Sequence, residues 1–274
     1  MQPLSLKCRD MSFSGLDAGP EGAPLVILLH GFPQTSRTWS AQLEALGDSG
    51  FHAVAPDLRG VADGARPEGI ESYALAEAVG DVFAIAGELG ADTFHLAGHD
   101  LGGIIAWELA CRDPERVRTL TIASTPHLAP FARAIIDGSA ERLPPFELFR
   151  QPGVAEQLML ADDGAVLRQA YAGLAPEAIE EYVARFSAPG VLTSTLAYFR
   201  AFDFDAWLEL ASCAPPTLFA WGRDDPFLAE ATAAATREHV SGAFREEALE
   251  GVGHWVPELA ADRLTELVFE HLSG

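Results

Sequence analysis

The sequence predicts a doubly wound α/β fold, a mostly parallel sheet with helices on both faces and a helical segment inserted late in the chain. Three observations carry this. Strand-length apolar runs recur and are continuous rather than alternating, the pattern of strands covered on both faces. Helix-length stretches with apolar residues at three-to-four spacing lie between most of them, giving the β-α-β-α rhythm of a parallel sheet. One long stretch then departs from that rhythm. In order, strands are expected at "PLVILLH" (Pro24 to His30), "HAVAPD" (His52 to Asp57), "TFHLAGH" (Thr93 to His99), "VRTLTIAS" (Val117 to Ser124) and "PPTLFAWG" (Pro215 to Gly222). "SYALAEAVGDVFAIAGELG" (Ser72 to Gly90) reads as a helix between the second and third. From Pro126 to about Leu210 the text is helical without strands and is punctuated by "LPPFELFRQPG" and "FSAPG". The chain therefore divides into a first core part (1–125), a helical cap (126–210) and a second core part (211–274). The cap is expected over the carboxyl ends of the strands, where open α/β sheets bind ligands.

The 274 residues, 49% of them hydrophobic, suffice for one large domain or for a core with an insertion. With 18 basic residues against 40 acidic ones the formal charge is −22, a field that repels phosphate backbones and anionic lipid surfaces. Nucleic acid and membrane are thereby excluded as partners. Lys7 is the only lysine and asparagine is missing, a bias that genome composition or a saline habitat would each produce. No apolar run reaches the roughly 18 residues of a membrane span, and "MQPLSLKCRDMSFSG" lacks the charged start and apolar stretch of a signal peptide, which predicts a cytoplasmic chain. Cys8, Cys111 and Cys213 lie far apart with no metal-type spacing, and an odd count fits free buried thiols. No cofactor or metal is implied, and the sequence sets no oligomeric state.

"GHDLGG" (Gly98 to Gly103) has the small-x-nucleophile-x-small-small form of a nucleophile elbow, a strained strand-to-helix turn that pushes its central side chain, Asp100, into the site. Read alone, the same letters also fit a glycine-rich turn whose aspartate caps the next helix. Context favours the elbow. "LLHGFPQTSRTW" follows the first apolar run, and its turn would aim the Phe32 N–H at the same point as the Leu101 N–H, two donors that make an oxyanion hole. Pro33 shapes that turn, a cis bond being one way to do so. "EGVGHWVPE" holds His254 in a loop before a helix, and the order nucleophile, acid, histidine selects it from eight histidines as the base. The acid is expected after the penultimate strand, where "LFAWGRDDPFL" offers Asp224 and Asp225. The G-x-x-D spacing favours Asp225, with Asp224 as a surface turn residue.

These motifs, together with "STPH", "FRQPGVAE" and "YFRAF", resemble the epoxide hydrolase and haloalkane dehalogenase branch of the α/β-hydrolase superfamily, over core and cap alike. An aspartate at the elbow distinguishes that branch from serine esterases. A serine must lose a proton before it attacks, whereas a carboxylate of pKa about 3.9 is already ionised at neutral pH and can displace a leaving group at saturated carbon directly. The resemblance implies a covalent alkyl ester on Asp100. Water deprotonated by His254, itself oriented by Asp225, then attacks the ester carbonyl held by the Phe32 and Leu101 N–H groups.

The resemblance also implies two cap tyrosines that donate to an epoxide oxygen, and alignment puts Pro145 and Phe199 at their positions. Tyr198, one residue early in "LAYFRAF", is a candidate donor or a packing residue, because adjacent helical positions point about 100° apart. Tyr171, Tyr182 and His127 are further candidates. Halide-releasing relatives carry a tryptophan after the nucleophile, where this chain has Leu101; relatives that bind a substrate carboxylate carry arginines where it has Leu101 and Ile104. Trp207 is the one cap tryptophan. Leu101, Ile104, Phe131, Phe149 and Phe199 imply an apolar pocket. The expectation is a cofactor-independent epoxide hydrolase acting on a small apolar substrate with water. The alternatives are a haloalkane dehalogenase, an ester or lactone hydrolase, and a noncatalytic binding protein.

Overall fold

The computed structural model describes residues 1–139, 142 and 144–273. Its eight strands are β1 (Gln2–Cys8), β2 (Met11–Ala18), β3 (Leu25–Leu29), β4 (His52–Pro56), β5 (Phe94–His99), β6 (Val117–Ala123), β7 (Thr217–Gly222) and β8 (Phe244–Leu249). They form one sheet in the order β1-β2-β4-β3-β5-β6-β7-β8, antiparallel at β1/β2 and β2/β4 and parallel from β4 onward. Helices α1 (Ser40–Asp48), α2 (Leu75–Glu88) and α3 (Leu101–Arg112) connect the early strands.

Both faces of the sheet are covered, and single strands show it residue by residue. Ile27 and Leu29 of β3 pack with Val82 of α2 and Ile105 and Leu109 of α3. Val26 and Leu28, pointing the other way as the two-residue strand period requires, pack with Leu43 and Leu46 of α1 and with Leu264 and Leu267 of a C-terminal helix, Ala261–Leu272. Every residue of β3, β4, β5 and β7 is buried, which is why these segments read as continuous apolar runs. The hairpin β1–β2 and strand β8 lie outside the runs expected from sequence. Their pattern differs for a physical reason: β1 and β8 are edge strands, with alternating or partial burial, and β8 carries Arg245, Glu246 and Glu247.

Between β6 and β7 the chain is helical, with no strand among the described residues. It forms α4 (Leu128–Ile136), α5 (Phe146–Phe149), α6 (Val154–Ala170), α7 (Pro176–Ser187), α8 (Val191–Ala201) and α9 (Phe204–Leu208). Ala140, Glu141 and Leu143, the last being the first letter of "LPPFELFRQPG", and Gly274 lie outside the described residues. After β7 come α10 (Glu230–Ala235), α11 (Val256–Leu259) and α12 (Ala261–Leu272). No helix among the described residues is long and apolar enough to cross a membrane. All three cysteines are free and buried.

Strand order reverses beside β3: β4, its successor, lies on one side and β5 on the other. The turns leaving β3 and β5 therefore diverge and open a crevice at the carboxyl edge, the usual ligand position in such sheets. Leu29 pairs with Gly98, so both turns start at one level.

Candidate active site

β5 ends at His99 and α3 begins at Leu101, leaving Asp100 alone in the turn with φ 49° and ψ −118°. This backbone costs a residue with a side chain on the order of 1–3 kcal/mol, and its surroundings must impose it. They do so by close approach. A Cβ on Gly102 would lie 2.2 Å from the Leu29 carbonyl oxygen, and one on Gly31 would lie 2.6 Å from the Asp100 Cβ. Only glycine lets the two turns meet. Thr125 Oγ1 donates to the Asp100 carbonyl at 3.2 Å and fixes the elbow from β6.

The turn after β3 contains a cis Phe32–Pro33 bond, and the Phe32 N–H donates to Asp100 Oδ1 at 2.7 Å. Leu101, the other expected donor, opens α3 as a buried residue, and its N–H makes no hydrogen bond to the Asp100 carboxylate. His254 lies across from Oδ2, with Nε2 3.3 Å away, while its Nδ1 is 2.7 Å from Asp225 Oδ2. Asp225 is fully buried and its Oδ1 accepts from the Phe227 N–H at 2.8 Å; Asp224 is exposed. The His254 carbonyl accepts from three donors, Ser124 Oγ at 2.8 Å, His99 Nε2 at 3.0 Å and the Val256 N–H at 2.8 Å.

Burial opposes charge on His254, but the Asp225 carboxylate and the hydrogen bonds to Asp100 and Asp225 outweigh it and push the imidazole up to about 10. Burial likewise opposes charge on Asp100. The hydrogen bond and positive charge of His254 and the Phe32 N–H overcome it, and the carboxyl sits below its ordinary range. Asp100 and His254 thus rest as carboxylate and imidazolium. His99 behaves oppositely: burial, then the neighbouring His254 charge, holds it down at about 4 and neutral.

Asp100 and His254 open into a cavity of about 110 Å³. The helical insertion supplies an apolar wall that includes Leu148, Phe149, Met159 and Phe199, with Pro144 and Pro145 beside them. A smaller recess shares Asp100, His254 and Phe199 and extends to Ile104, Phe131 and Phe146. Phe131, Phe149 and Phe199 are therefore all beside Asp100, while Leu101 is packed in the core. Sequence reasoning missed Phe227, whose ring packs edge-on against His254 at 5.1 Å, and Trp255, which lines the cavity. Their adjacency to the acid and the histidine was the available signal. Trp207 stacks on Phe131 and is not part of the wall.

Tyr198 requires a correction. It does not face Asp100: its buried hydroxyl has no hydrogen-bond partner among the described residues and lies in a separate small pocket with Arg59 and Asp81. The reason is helical geometry, since Phe199, one position on, takes the face toward the cavity. The other tyrosines are also committed elsewhere. Tyr73 donates to the Pro67 carbonyl, Tyr171 to the Pro33 carbonyl and Tyr182 to Glu258. His127 accepts from the Ala129 N–H at 3.2 Å and contacts Cys111. Ser124 and Thr125, the hydroxyls bordering the smaller recess, donate to backbone carbonyls.

Residues 24–261 match the family described as alpha/beta hydrolase fold. The chain is similar to epoxide hydrolase A of Mycobacterium tuberculosis, at 29% identity over 94% of this chain and 93% of that protein. It is similar to epoxide hydrolase 4 of Mus musculus, at 31% identity over 98% of this chain and 78% of that protein. Among solved structures, epoxide hydrolase A from Mycobacterium thermoresistibile superposes with a TM-score of 0.89 at 26% identity, covering 100% of this chain and 98% of the other.

Proposed function

We propose, from the premise that this chain belongs to the α/β-hydrolase superfamily and within it to the epoxide hydrolase branch, that this hydrolase opens a small apolar epoxide through a covalent ester on Asp100. The observation that carries the proposal is the pair of contacts on one carboxylate: the Phe32 N–H on Oδ1 at 2.7 Å and His254 Nε2 beside Oδ2 at 3.3 Å. Oδ2 is the attacking atom. It forms a bond to a ring carbon while the carbon–oxygen bond breaks with its electron pair moving to the ring oxygen. That alkoxide takes a proton from water in the cavity, and the His254 imidazolium makes up the water's loss.

Esterification removes the Asp100 charge, one of the two that keep His254 protonated, so the imidazole becomes a competent base at this stage. It takes a proton from a second water as that water adds to Asp100 Cγ. Negative charge develops on Oδ1, against the Phe32 N–H. Collapse of the tetrahedral species breaks the ester bond, releases the diol and returns Asp100 as carboxylate and His254 as imidazolium. The apolar wall supports an apolar substrate.

A haloalkane is the second reading, favoured because no tyrosine hydroxyl faces Asp100 and a halide leaves without being protonated. Replacing His254→Ala should block ester breakdown, so incubation with styrene oxide should add the mass of the epoxide to the Asp100 peptide. Absence of an adduct across a panel of epoxides and haloalkanes would overturn the covalent route, and halide release assayed beside diol formation separates the two leaving groups.

A further inference from the structure

Glu258 lies in α11, four residues after His254, and is not part of the cavity wall. Its Oε2 accepts three hydrogen bonds: from Gln34 Nε2 at 2.6 Å, Thr38 Oγ1 at 3.2 Å and the Tyr182 hydroxyl at 3.1 Å. The donors come from three places. Gln34 follows Phe32 by two residues, and its own N–H closes that turn onto the Gly31 carbonyl at 3.0 Å. Thr38 belongs to the short helical turn Ser36–Trp39, and Tyr182 belongs to α7 of the insertion. Two further bonds cross the same seam: Tyr171 donates to the Pro33 carbonyl, and Trp255 Nε1 to the Ala170 carbonyl at 2.8 Å.

We propose that Glu258 is a positioning residue for ester breakdown: it ties the Phe32 turn and the helix after His254 to α7, keeping the Phe32 N–H and His254 aligned on the two oxygens of Asp100. The inference rests on the covalent-ester reading above. A carboxylate suits this place because it only accepts, and one oxygen can take several donors. A glutamine of the same size is uncharged, so its oxygen accepts more weakly from these three donors, and it adds an amide that needs a partner of its own.

The electrostatics mark Glu258 as retained at some expense to stability. Burial pushes its carboxyl up to about 7, against the hydrogen bonds from Tyr182, Thr38 and Gln34 and the Arg37 charge, which pull it down. Arg37, on the turn Ser36–Trp39, is paired with Glu181 at 2.9 Å, and Tyr171 of the segment following α6 lies within the electrostatic reach of Glu258. Because the folded value lies above the unfolded one, the stabilising contribution is present at acid pH and is lost as pH rises through about 7. A residue kept only to hold the fold would be improved by neutral glutamine at pH 8.

The test is Glu258→Gln at pH 8, with ester formation and breakdown followed by rapid quenching and intact-protein mass spectrometry on styrene oxide. The expected result is formation within about threefold of the parent, breakdown slowed by about tenfold or more, and a melting temperature no lower than the parent's. Tyr182→Phe and Gln34→Leu each remove one arm and should slow breakdown to a smaller degree; they carry the test if Glu258→Gln does not fold. Breakdown at the parental rate, or equal slowing of both steps, would overturn the positioning role. Absence of any adduct in His254→Ala would instead remove the ester reading itself.

Discussion

Asp100→Asn imitates the electrical state of the proposed alkyl-enzyme ester, a neutral acyl group in the shape of the carboxylate, and so tests whether esterification readies His254. The rise of His254 from its ordinary 6.5 to about 10 corresponds to about 5 kcal/mol of preference for the imidazolium, at roughly 1.4 kcal/mol per pH unit. Asp225, at 2.7 Å and fully buried, keeps its share when Asp100 is neutralised; the share of Asp100, at 3.3 Å, is lost. The titration of His254 should therefore fall by about 1–2 pH units in Asp100→Asn, and by more in Asp225→Asn. Heteronuclear NMR of ring-labelled histidine reads this directly, with His254→Gln assigning the resonance. Stability should follow with a fixed sign. A histidine whose folded value lies above the unfolded one stabilises the fold fully below about 6.5 and loses that contribution as pH rises through about 10. Urea unfolding at pH 6.5 and pH 10 should show a drop in the parent that is smaller in Asp100→Asn. A His254 titration near 6.5 in the parent, or one that Asp100→Asn leaves in place, would refute the account of how the base becomes available.

Three further substitutions probe the cavity and the elbow. Phe199→Tyr places a hydroxyl on the wall beside Asp100 and should raise kcat on unactivated alkyl epoxides by about tenfold or more, as a general acid does; an unchanged kcat would mean ring-oxygen protonation does not limit the rate. Tyr198→Phe removes a buried hydroxyl that has no partner among the described residues, so epoxide turnover should stay within about twofold and the urea midpoint should hold or rise. Gly102→Ala forces a Cβ to within 2.2 Å of the Leu29 carbonyl and should cost about 3 kcal/mol or more in urea unfolding, with loss of adduct formation in the fraction that folds.

What the sequence disclosed, and what it hid, follow one rule: a feature is legible when its physics is local in the chain. Strands β3, β4, β5 and β7 are buried along their whole length, so apolar residues dominate them and the run announces itself. Strand β8 lies at the sheet edge, and a stretch such as "FREEAL" becomes a strand only because β7 pairs with it. Asp100 could be singled out because the glycines that permit its turn are its own neighbours: a Cβ on Gly98 would meet Gly102, one on Gly102 the Leu29 carbonyl and one on Gly103 the Thr125 side chain. The contact between Asp225 and His254 is long-range, yet the order of motifs along the chain pointed to it.

The face of a cap helix is a different kind of fact. Tyr198 and Phe199 sit side by side in "LAYFRAF", and neither local letters nor periodicity decides which one meets a cavity built by another part of the chain. The decision lies in packing: the Phe199 ring fits against Phe32 and Phe149, at centroid distances of 5.1 and 4.8 Å, and this leaves Tyr198 directed at Tyr73 on the opposite side. Glu258 escaped notice for the same reason, since its three donors come from segments up to 224 residues away in sequence. The geometry of the elbow is thus written into a few consecutive residues, whereas the roles proposed for Phe199 and Glu258 depend on the seam between insertion and core. Substitutions at Phe199 and Glu258 should accordingly change which step limits turnover while leaving the Asp100 carboxylate intact.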